Sequence, residues 1–421
     1  MSRFSRRHLL GGLCALPSSL LLPRVLQAKG VGERKFLFVF ATGGWDFTYC
    51  FAPMFDSDIV DTEASAEIGK ASGITFVDAM ERPSVRSFFE NYGDQACVIN
   101  GVECRSVAHD VCLRLIMTGS TLPGADDWPA SLASRSASER LLPMVNISGP
   151  SYTAALASEV VRVGTNGQFS ALLDGSVFQD ASDLIITPPA LQVDALEDAY
   201  VLARAQAAAS EAARGRALEI LQSATTAEER MALLGEVAEG LDLASGTNLV
   251  ERASILGECF EKGLSRCGMI EHDGFQGLGW DTHGANNVQG PNFEELFSGL
   301  SSIVQGLQNR PGEVASTLAE EVTIVVLSEM GRYPRLNSRG GKEHWTFTSA
   351  MLIGAGVAGG QVLGGYSGET FAGEPISLAT GEISAHGEAL VPGHLGATLM
   401  TMADIDPAEF ISESPIEAAI R

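Results

Sequence analysis

Short runs of apolar and β-branched residues recur along the chain, each followed by glycine or a polar side chain. The runs at 35–41 and 322–327 are apolar at nearly every position. A continuous apolar run of this length predicts a strand that is buried on both faces, as in a parallel sheet. Weaker runs that predict further strands lie at 96–100, 144–148, 184–187 and 349–354.

Apolar residues three and four positions apart predict helices between these strands. The pattern occurs at 292–310 and 395–403, and another helix is predicted to end near Thr118. From 189 to 246 the composition changes to Ala, Glu, Leu and Arg, which predicts a helical insertion over the sheet. Strands that alternate with helices predict an α/β fold for residues 29–421.

The N-terminus has the pattern of an export signal. The sequence SRRHLL at 5–10 matches the twin-arginine pattern, and a weakly apolar stretch follows at 9–22. Two glycines and a proline interrupt that stretch, and it is too short to span a bilayer as a stable helix. We therefore expect residues 1–28 to be a cleaved signal. The mature chain is expected to be periplasmic or secreted, without a transmembrane anchor.

Six cysteines lie beyond the expected signal, and no pair has the C-x-x-C spacing of a cysteine-rich zinc site. An oxidising compartment would permit disulfides. Cys259 and Cys267, which flank a short polar segment, form the predicted bridge. Buried free thiols are the alternative.

The net charge of −24 restricts the class of partner. A surface this acidic argues against nucleic acid and anionic membranes as partners, because both carry dense negative charge. An anionic small molecule would also be repelled, unless bound cations neutralise it. The charge therefore favours a site with metal ions if the substrate is an anion.

Acidic residues follow two of the predicted buried strands. Asp46 follows the first strand across two glycines, and Glu329 follows the strand at 322–327. Open α/β sheets bind ligands outside the carboxyl ends of their strands, so both carboxylates are well placed to bind one. His344 comes after a polar, glycine-rich loop that can return it to the same edge. Capping of a turn is the alternative role for Asp46.

The segment GLGWDTHG at 277–284 is the most informative short motif. In an extended segment, residues i and i+2 point to the same side, so Asp281 and His283 can hold one cation. Carboxylate and imidazole together suit zinc, manganese or iron better than magnesium or calcium. With the three residues above, they form a set able to bind one or two divalent ions.

A strand-to-helix junction follows the strand at 96–100. Ser106 and His109 lie there, near backbone N–H groups and the positive end of the predicted helix. This position suits a nucleophile or an anion contact, and a helix cap is the alternative for His109. Arg332 or Arg105 can supply a further contact to an anionic group.

One further histidine near the GWDTHG motif has a different expected role. His272 lies between two acidic residues, Glu271 and Asp273. Such a polar neighbourhood is typical of a loop in contact with water. We therefore predict that His272 is a solvated loop residue outside the site.

Four motifs, in matching order and spacing, resemble the bacterial family catalogued as domain of unknown function 1501. Members of that family commonly carry twin-arginine signals and are similar in fold to the alkaline phosphatase and sulfatase superfamily. The resemblance covers essentially the whole mature chain. It implies a mixed, mostly parallel sheet flanked by helices, with the helical insertion. The motifs are GGWD at 43–46, GWDTHG at 279–284, SEMGR at 328–332 and EHW around His344.

The resemblance also implies how the metal ligands are divided. Asp46 and Glu329 would hold one ion, and Asp281, His283 and His344 would hold the other. Zinc, manganese or calcium are the expected metals, one or two ions per chain.

Three positions depart from the family pattern. The chain has Glu-Met at 329–330 where the superfamily has Asp-His, and Ala-His-Asp at 108–110 where the family has Ser-His-Phe. It also has Glu-His-Trp at 343–345 where the family tends toward Asp-His-Gly. These departures remove an imidazole and a hydroxyl, so the nucleophile would be Ser106 or a water molecule.

Two functions follow from the resemblance. An exported, metal-dependent hydrolase of phosphate or sulfate esters would take a small anionic ester as its substrate. The alternative is a non-catalytic periplasmic protein that keeps the fold and binds an unknown protein partner, because fold does not imply activity.

Overall fold

The computed structural model describes residues 33–165 and 246–421, together with six isolated positions between them. Twelve strands lie in this part of the chain, and eight of them build one central sheet. The other four form two separate hairpins, β2–β3 and β9–β10 in the numbering that follows. In chain order the strands are β1 (Lys35–Phe40), β2 (Glu67–Ala71), β3 (Ile74–Asp78), β4 (Ala96–Glu103), β5 (Met144–Asn146), β6 (Val160–Arg162), β7 (Cys267–Glu271), β8 (Val322–Leu327), β9 (Gly331–Leu336), β10 (Lys342–Trp345), β11 (Phe347–Gly354) and β12 (Gln361–Leu363).

The central sheet is mixed but mostly parallel, as predicted. Its strand order is β12-β4-β11-β8-β1-β7-β5-β6, and β11 runs antiparallel to both of its neighbours. β1 lies near the middle and pairs in parallel with β7 on one side and β8 on the other. Because the other seven strands point the same way, their carboxyl ends share one edge of the sheet. A ligand site is expected at that edge.

Alternation of side chains along the strands divides the core into two layers. Leu37 and Val39 of β1 pack on the first face of the sheet, and Phe36 and Phe38 pack on the second. The helices of the described residues are α1 (Pro83–Tyr92), α2 (His109–Thr118), α3 (Trp128–Ala133), α4 (Leu249–Glu261), α5 (Gln289–Gln308) and α6 (Pro392–Met402). Helices α1, α4 and α5 cover the first face, and α2, α3 and α6 cover the second. No described helix is both long and apolar enough to cross a membrane.

Most predicted elements are confirmed with shifted ends. β8 has the predicted limits, and α2 ends at Thr118 because Gly119 takes a left-handed conformation with φ of 68°. The signal at 1–28 and the strand at 184–187 lie outside the described residues. So does the helical insertion at 189–246, apart from the isolated positions and its last residue. These three stay predictions.

The predicted disulfide between Cys259 and Cys267 is wrong. All six cysteines of the described residues are buried free thiols. Cys259 lies on α4 and packs in the core layer of the first face, whereas Cys267 begins β7 and packs in the layer of the second face. The two side chains are therefore in different layers of the core, and the alternative of free thiols holds.

Candidate metal centre

The site lies at the carboxyl edge of the sheet and is assembled from separate loops. His109 begins α2 after β4, and Asp281 and His283 lie in the loop after β7. His344 lies on β10, where antiparallel pairing with β9 places it opposite Arg332. The segment expected to be a glycine-rich loop is therefore a hairpin that returns His344 to the site.

Three imidazole rings and one carboxylate converge in this region. His283 Nε2 lies 2.8 Å from His344 Nε2 and 3.2 Å from Asp281 Oδ1. His344 Nε2 lies 3.4 Å from Asp281 Oδ1, and His109 Nε2 lies 3.6 Å from Asp281 Oδ2. His109 Nε2 is also buried without a hydrogen-bond partner among the described residues. His109, Asp281 and His344 place one ligand atom each within 4.8 Å of one another, so a divalent cation held by these three would also satisfy this nitrogen. His283 lies beside two of them and could add a further ligand.

The second ring nitrogen of two of the histidines has a hydrogen-bond partner. Metal-binding histidines usually donate this N–H to a carboxylate or a carbonyl, which fixes the tautomer and leaves Nε2 to bind the metal. His109 and His344 follow that pattern, because their Nδ1 atoms are paired with Oε1 of Glu329 at 2.7 Å and with the Val107 carbonyl at 2.7 Å. His283 Nδ1 lies 3.1 Å from Oε2 of Glu343 but makes no hydrogen bond with it.

These contacts set the charges of the site. The hydrogen bond with Glu329 raises the pKa of His109, because the carboxylate stabilises the imidazolium form. Burial lowers the pKa of His344, so this ring is neutral at pH 7. Burial acts to raise the pKa of Asp281, but the hydrogen bond and charge of Arg332 outweigh it and the pKa is lowered. Asp281 is therefore ionised and available to a cation.

Arg332, predicted to contact an anionic group, is instead engaged by the protein itself. Its side chain is fully buried. Nε donates to the Gly44 carbonyl at 2.9 Å, and Nη1 donates to the Lys342 carbonyl at 3.2 Å. Nη2 donates to the Gly43 carbonyl and to Asp281 Oδ1, the latter at 2.5 Å. With all three nitrogens engaged and its side chain fully buried, Arg332 positions Asp281 and is not exposed to a substrate.

Asp46 does not join the converging side chains. Its Oδ1 accepts hydrogen bonds from the amide and the hydroxyl of Thr48. Its Oδ2 accepts from Asn286 Nδ2 at 2.8 Å and from Lys342 Nζ at 2.6 Å, and both members of this ion pair are fully buried. In place of a metal position shared by Asp46 and Glu329, the structure therefore has a buried ion pair. Glu329 serves as a partner of an imidazole ring.

Ser106 lies three residues before α2 and is half-buried. Its Oγ accepts a hydrogen bond from the Ala108 amide at 3.1 Å. Arg105, the preceding residue, has a φ of 51°, which is uncommon for a residue with a side chain. Among the described residues, no hydrogen bond joins Ser106 to the imidazoles or to Asp281. Its role as a nucleophile stays a prediction.

Gly43, in the GGWD motif, allows two loops of the site to approach each other. It has a φ of 127°, and a Cβ atom there would lie only 2.6 Å from the amide nitrogen of Asp281. The Gly43 amide also donates to both carboxylate oxygens of Glu329, at 2.8 and 3.1 Å. The motif thus helps to position the carboxylates of Glu329 and Asp281. This role is additional to the tight turn that the sequence predicts.

His272 is buried, so the prediction that it is a solvated loop residue is wrong. It is 2% exposed at the end of β7. Its Nδ1 accepts hydrogen bonds from the Gly274 amide at 3.3 Å and from Trp280 Nε1 at 3.2 Å. Burial lowers the pKa of His272 to about 4, so the ring is neutral in the folded protein at pH 7.

The neutral His272 makes stability depend on pH. Its pKa rises from about 4 in the folded chain to the ordinary 6.5 on unfolding. Its contribution to stability is complete above pH 6.5 and is lost as the pH falls through 4. We expect the free energy of unfolding to fall by up to about 3 kcal/mol from this group across that range. Urea unfolding of the wild type and of His272→Asn, which keeps an acceptor near Nδ1, measures the effect.

The variant should lose less stability on acidification than the wild type. His386→Asn is the matched control, because His386 is exposed in a loop. The same acid-dependent loss in the wild type and in His272→Asn would assign the loss to other groups.

Comparison with known proteins gives a family and several distant structural likenesses. Residues 34–372 match the family model described as "Protein of unknown function (DUF1501)". No functionally curated protein is detectably similar to this sequence.

Each structural likeness extends over most of both chains. A protein in the alkaline phosphatase superfamily from Vibrio parahaemolyticus is 8% identical, with 93% of this chain and 70% of that chain covered and a TM-score of 0.35. A 2-O GAG sulfatase is 10% identical, with 91% and 73% covered and a TM-score of 0.36. Ps i-CgsB, in complex with k-i-k-neocarrahexaose, is 8% identical, with 91% and 75% covered and a TM-score of 0.41. At these TM-scores the likenesses carry no argument about the chemistry of this chain.

Proposed function

The chain belongs to the DUF1501 family, whose function is unknown, and we propose that it is a metal-dependent hydrolase of phosphate or sulfate esters. The observation that carries the proposal is the convergence of three Nε2 atoms on Asp281, with the rings of His109 and His344 held through Nδ1. Three imidazoles and one carboxylate suit zinc or manganese, whereas calcium prefers oxygen ligands. The four side chains favour one ion rather than two.

A divalent cation at this centre would polarise an ester oxygen and offset the negative charge of the substrate. The side chains around it keep the ligands ready for binding. Arg332 keeps Asp281 ionised and in place, and Glu329 fixes the ring of His109. Each of these two supporting side chains is fully buried, so their contacts are protected from water.

The proposed centre is open to solvent. Asp281 is 48% exposed, and His109 and His283 are about one third exposed. A small ester can therefore approach Asp281 from solvent. We assign the attack to a water molecule, because among the described residues no hydrogen bond joins Ser106 to an imidazole or carboxylate of the site that could act as its base. Export by the motif at 5–10 is part of the proposal.

Assays with aryl phosphate and aryl sulfate esters, in the presence of zinc or manganese, test this function. The wild type should turn over at least one of the two ester classes. Asp281→Asn should reduce kcat/KM by at least about a hundredfold, because it removes the negative charge of a metal ligand. Loss of a residue that only supports a ligand typically costs about tenfold to a hundredfold. Ser106→Ala should stay within about threefold of the wild type if water attacks the ester.

Two results would contradict the proposal. A wild-type protein that contains its metal and hydrolyses neither ester class would favour the non-catalytic binding protein. Equal activity in the wild type and in Asp281→Asn would place the chemistry elsewhere. Loss of activity in Ser106→Ala, with normal metal content, would instead assign the attack to the hydroxyl.

A further inference from the structure

A cationic side chain near the metal centre would strengthen binding of an anionic ester to this acidic protein, and the two arginines predicted for that role are poorly placed for it. Arg332 is fully buried. Arg105 is 68% exposed, and its nearest carboxylate is Glu103 at 3.8 Å. Arg114, on α2, is half-buried and makes no hydrogen bond or ion pair within 33–165 and 246–421. Among the residues that the structure describes, its guanidinium donors therefore have no partner.

A rigid support holds this guanidinium. Arg114 lies over the ring of Tyr152, with its guanidinium carbon 5.0 Å from the ring centroid. The Tyr152 amide donates to Asp127 Oδ2 at 2.7 Å, and its carbonyl accepts from the Asp127 amide at 2.9 Å. Asp127 is fully buried and caps α3. Stacking on the fixed ring orients the guanidinium plane and leaves its N–H groups free.

The pair lies at the edge of the sheet that carries the metal centre. His109 is the first residue of α2, and Arg114 follows five residues later, about 7.5 Å along the helix axis and about 140° around it. Tyr152 follows β5, whose carboxyl end lies at the edge of the sheet where the site is built. Stacking on Tyr152 therefore keeps the guanidinium at this edge.

We infer that Arg114, supported by Tyr152, binds a second anionic group of the substrate. The substrate class is then a doubly anionic ester. Its phosphate or sulfate ester lies at the metal centre, and a carboxylate, sulfate or phosphate several ångströms away lies at Arg114. A guanidinium binds such oxyanions through two parallel N–H donors. The inference rests on the proposed function for the ester group, although binding of the second anion needs no turnover.

Calorimetry on the metal-loaded protein with 4-sulfobenzoate, inorganic sulfate and benzoate tests the inference. The wild type should bind 4-sulfobenzoate at least about tenfold more tightly than sulfate, because a charge-assisted hydrogen-bonded pair is added. Arg114→Gln should lose this advantage and keep its affinity for sulfate. Arg105→Gln is the matched control and should behave as the wild type.

Two further variants separate binding from folding. Arg114→Lys keeps the charge but not the paired donors, and should retain part of the preference. Tyr152→Leu keeps the arginine but removes its support, and should weaken 4-sulfobenzoate binding alone. Thermal unfolding of each variant checks that it is folded. If Arg114→Gln does not fold, Arg114→Lys and Tyr152→Leu test the inference in its place.

Several outcomes would overturn the inference. One is that the wild type binds 4-sulfobenzoate and sulfate with equal affinity. Another is that Arg114→Gln binds 4-sulfobenzoate as tightly as the wild type. A third is that Arg114→Gln loses as much affinity for sulfate as for 4-sulfobenzoate. The last would mean that Arg114 contacts the ester group itself. A wild type that shows the preference but hydrolyses no ester would refute the proposed hydrolase and leave the anion site standing.

Discussion

Replacement of His283 by alanine should remove most of the bound metal, from about one zinc or manganese ion per chain to less than about a tenth. The reason is that His283 Nε2 lies 2.8 Å from His344 Nε2 and 3.2 Å from Asp281 Oδ1, so its loss removes one proposed ligand and a neighbour of two others. Elemental analysis after dialysis, with calorimetric titration of the metal-free protein, measures the effect. Turnover of any ester substrate should fall in parallel.

A graded series of variants sharpens this test. Glu343→Gln removes the charge beside His283 Nδ1, along with an exposed ion pair to Arg339, and should weaken metal affinity by about tenfold to a hundredfold. His386→Ala replaces an exposed histidine outside the site and should leave one ion per chain. Full metal content in His283→Ala would show that the three imidazoles are not the ligands. Two ions per wild-type chain would contradict the reading of a single centre.

Replacement of Lys342 by methionine should destabilise the protein by about 3–5 kcal/mol, because it leaves the carboxylate of Asp46 buried without its counter-ion. The double variant with Asp46→Asn should recover most of the loss, since neither charge remains. Urea unfolding of the wild type, both single variants and the double variant gives the coupling between the two residues.

Arg135→Met is the control for this second experiment. The ion pair between Arg135 and Glu409 is about half exposed at each side chain, so its loss should cost less than about 1 kcal/mol. If zinc returned Lys342→Met to full stability and a second ion bound, Asp46 would be a metal ligand after all. An equal loss in the double variant and in Lys342→Met would show that the charge of Asp46 is not the cause.

The sequence predicts the edge of the sheet where the site lies, because strand ends and short motifs carry that information locally. Asp281 and His283 are two residues apart, and they do converge. The partners of other residues could not be predicted, since they depend on which distant side chains face each other. Asp46 forms an ion pair with Lys342, and Glu329 pairs with the imidazole ring of His109. Only folding of the sheet brings together the loops that carry these residues.

Met330 shows that the position of a residue within a motif does not by itself predict its role in the fold. The superfamily pattern has a histidine there, so its absence suggests a lost metal ligand. In the fold, Met330 is fully buried in the core layer of the second face. An imidazole for the site comes instead from His109, at the start of α2. The hairpin that carries His344 could not be predicted either, because GRYPRL and KEHW lack the alternation of a strand.

The central place of β1 has a consequence for synthesis of the protein. Its two neighbours come from the second half of the chain, so that Phe38 pairs with Met269 and Val325. A ribosome adds about 5–20 residues per second, so β1 waits roughly 10–50 s for the first of these neighbours. During that time an apolar strand with two unpaired edges can associate with other chains. Newly made protein therefore needs protection from aggregation until β7 and β8 emerge, and fragments that end before β7 should be insoluble.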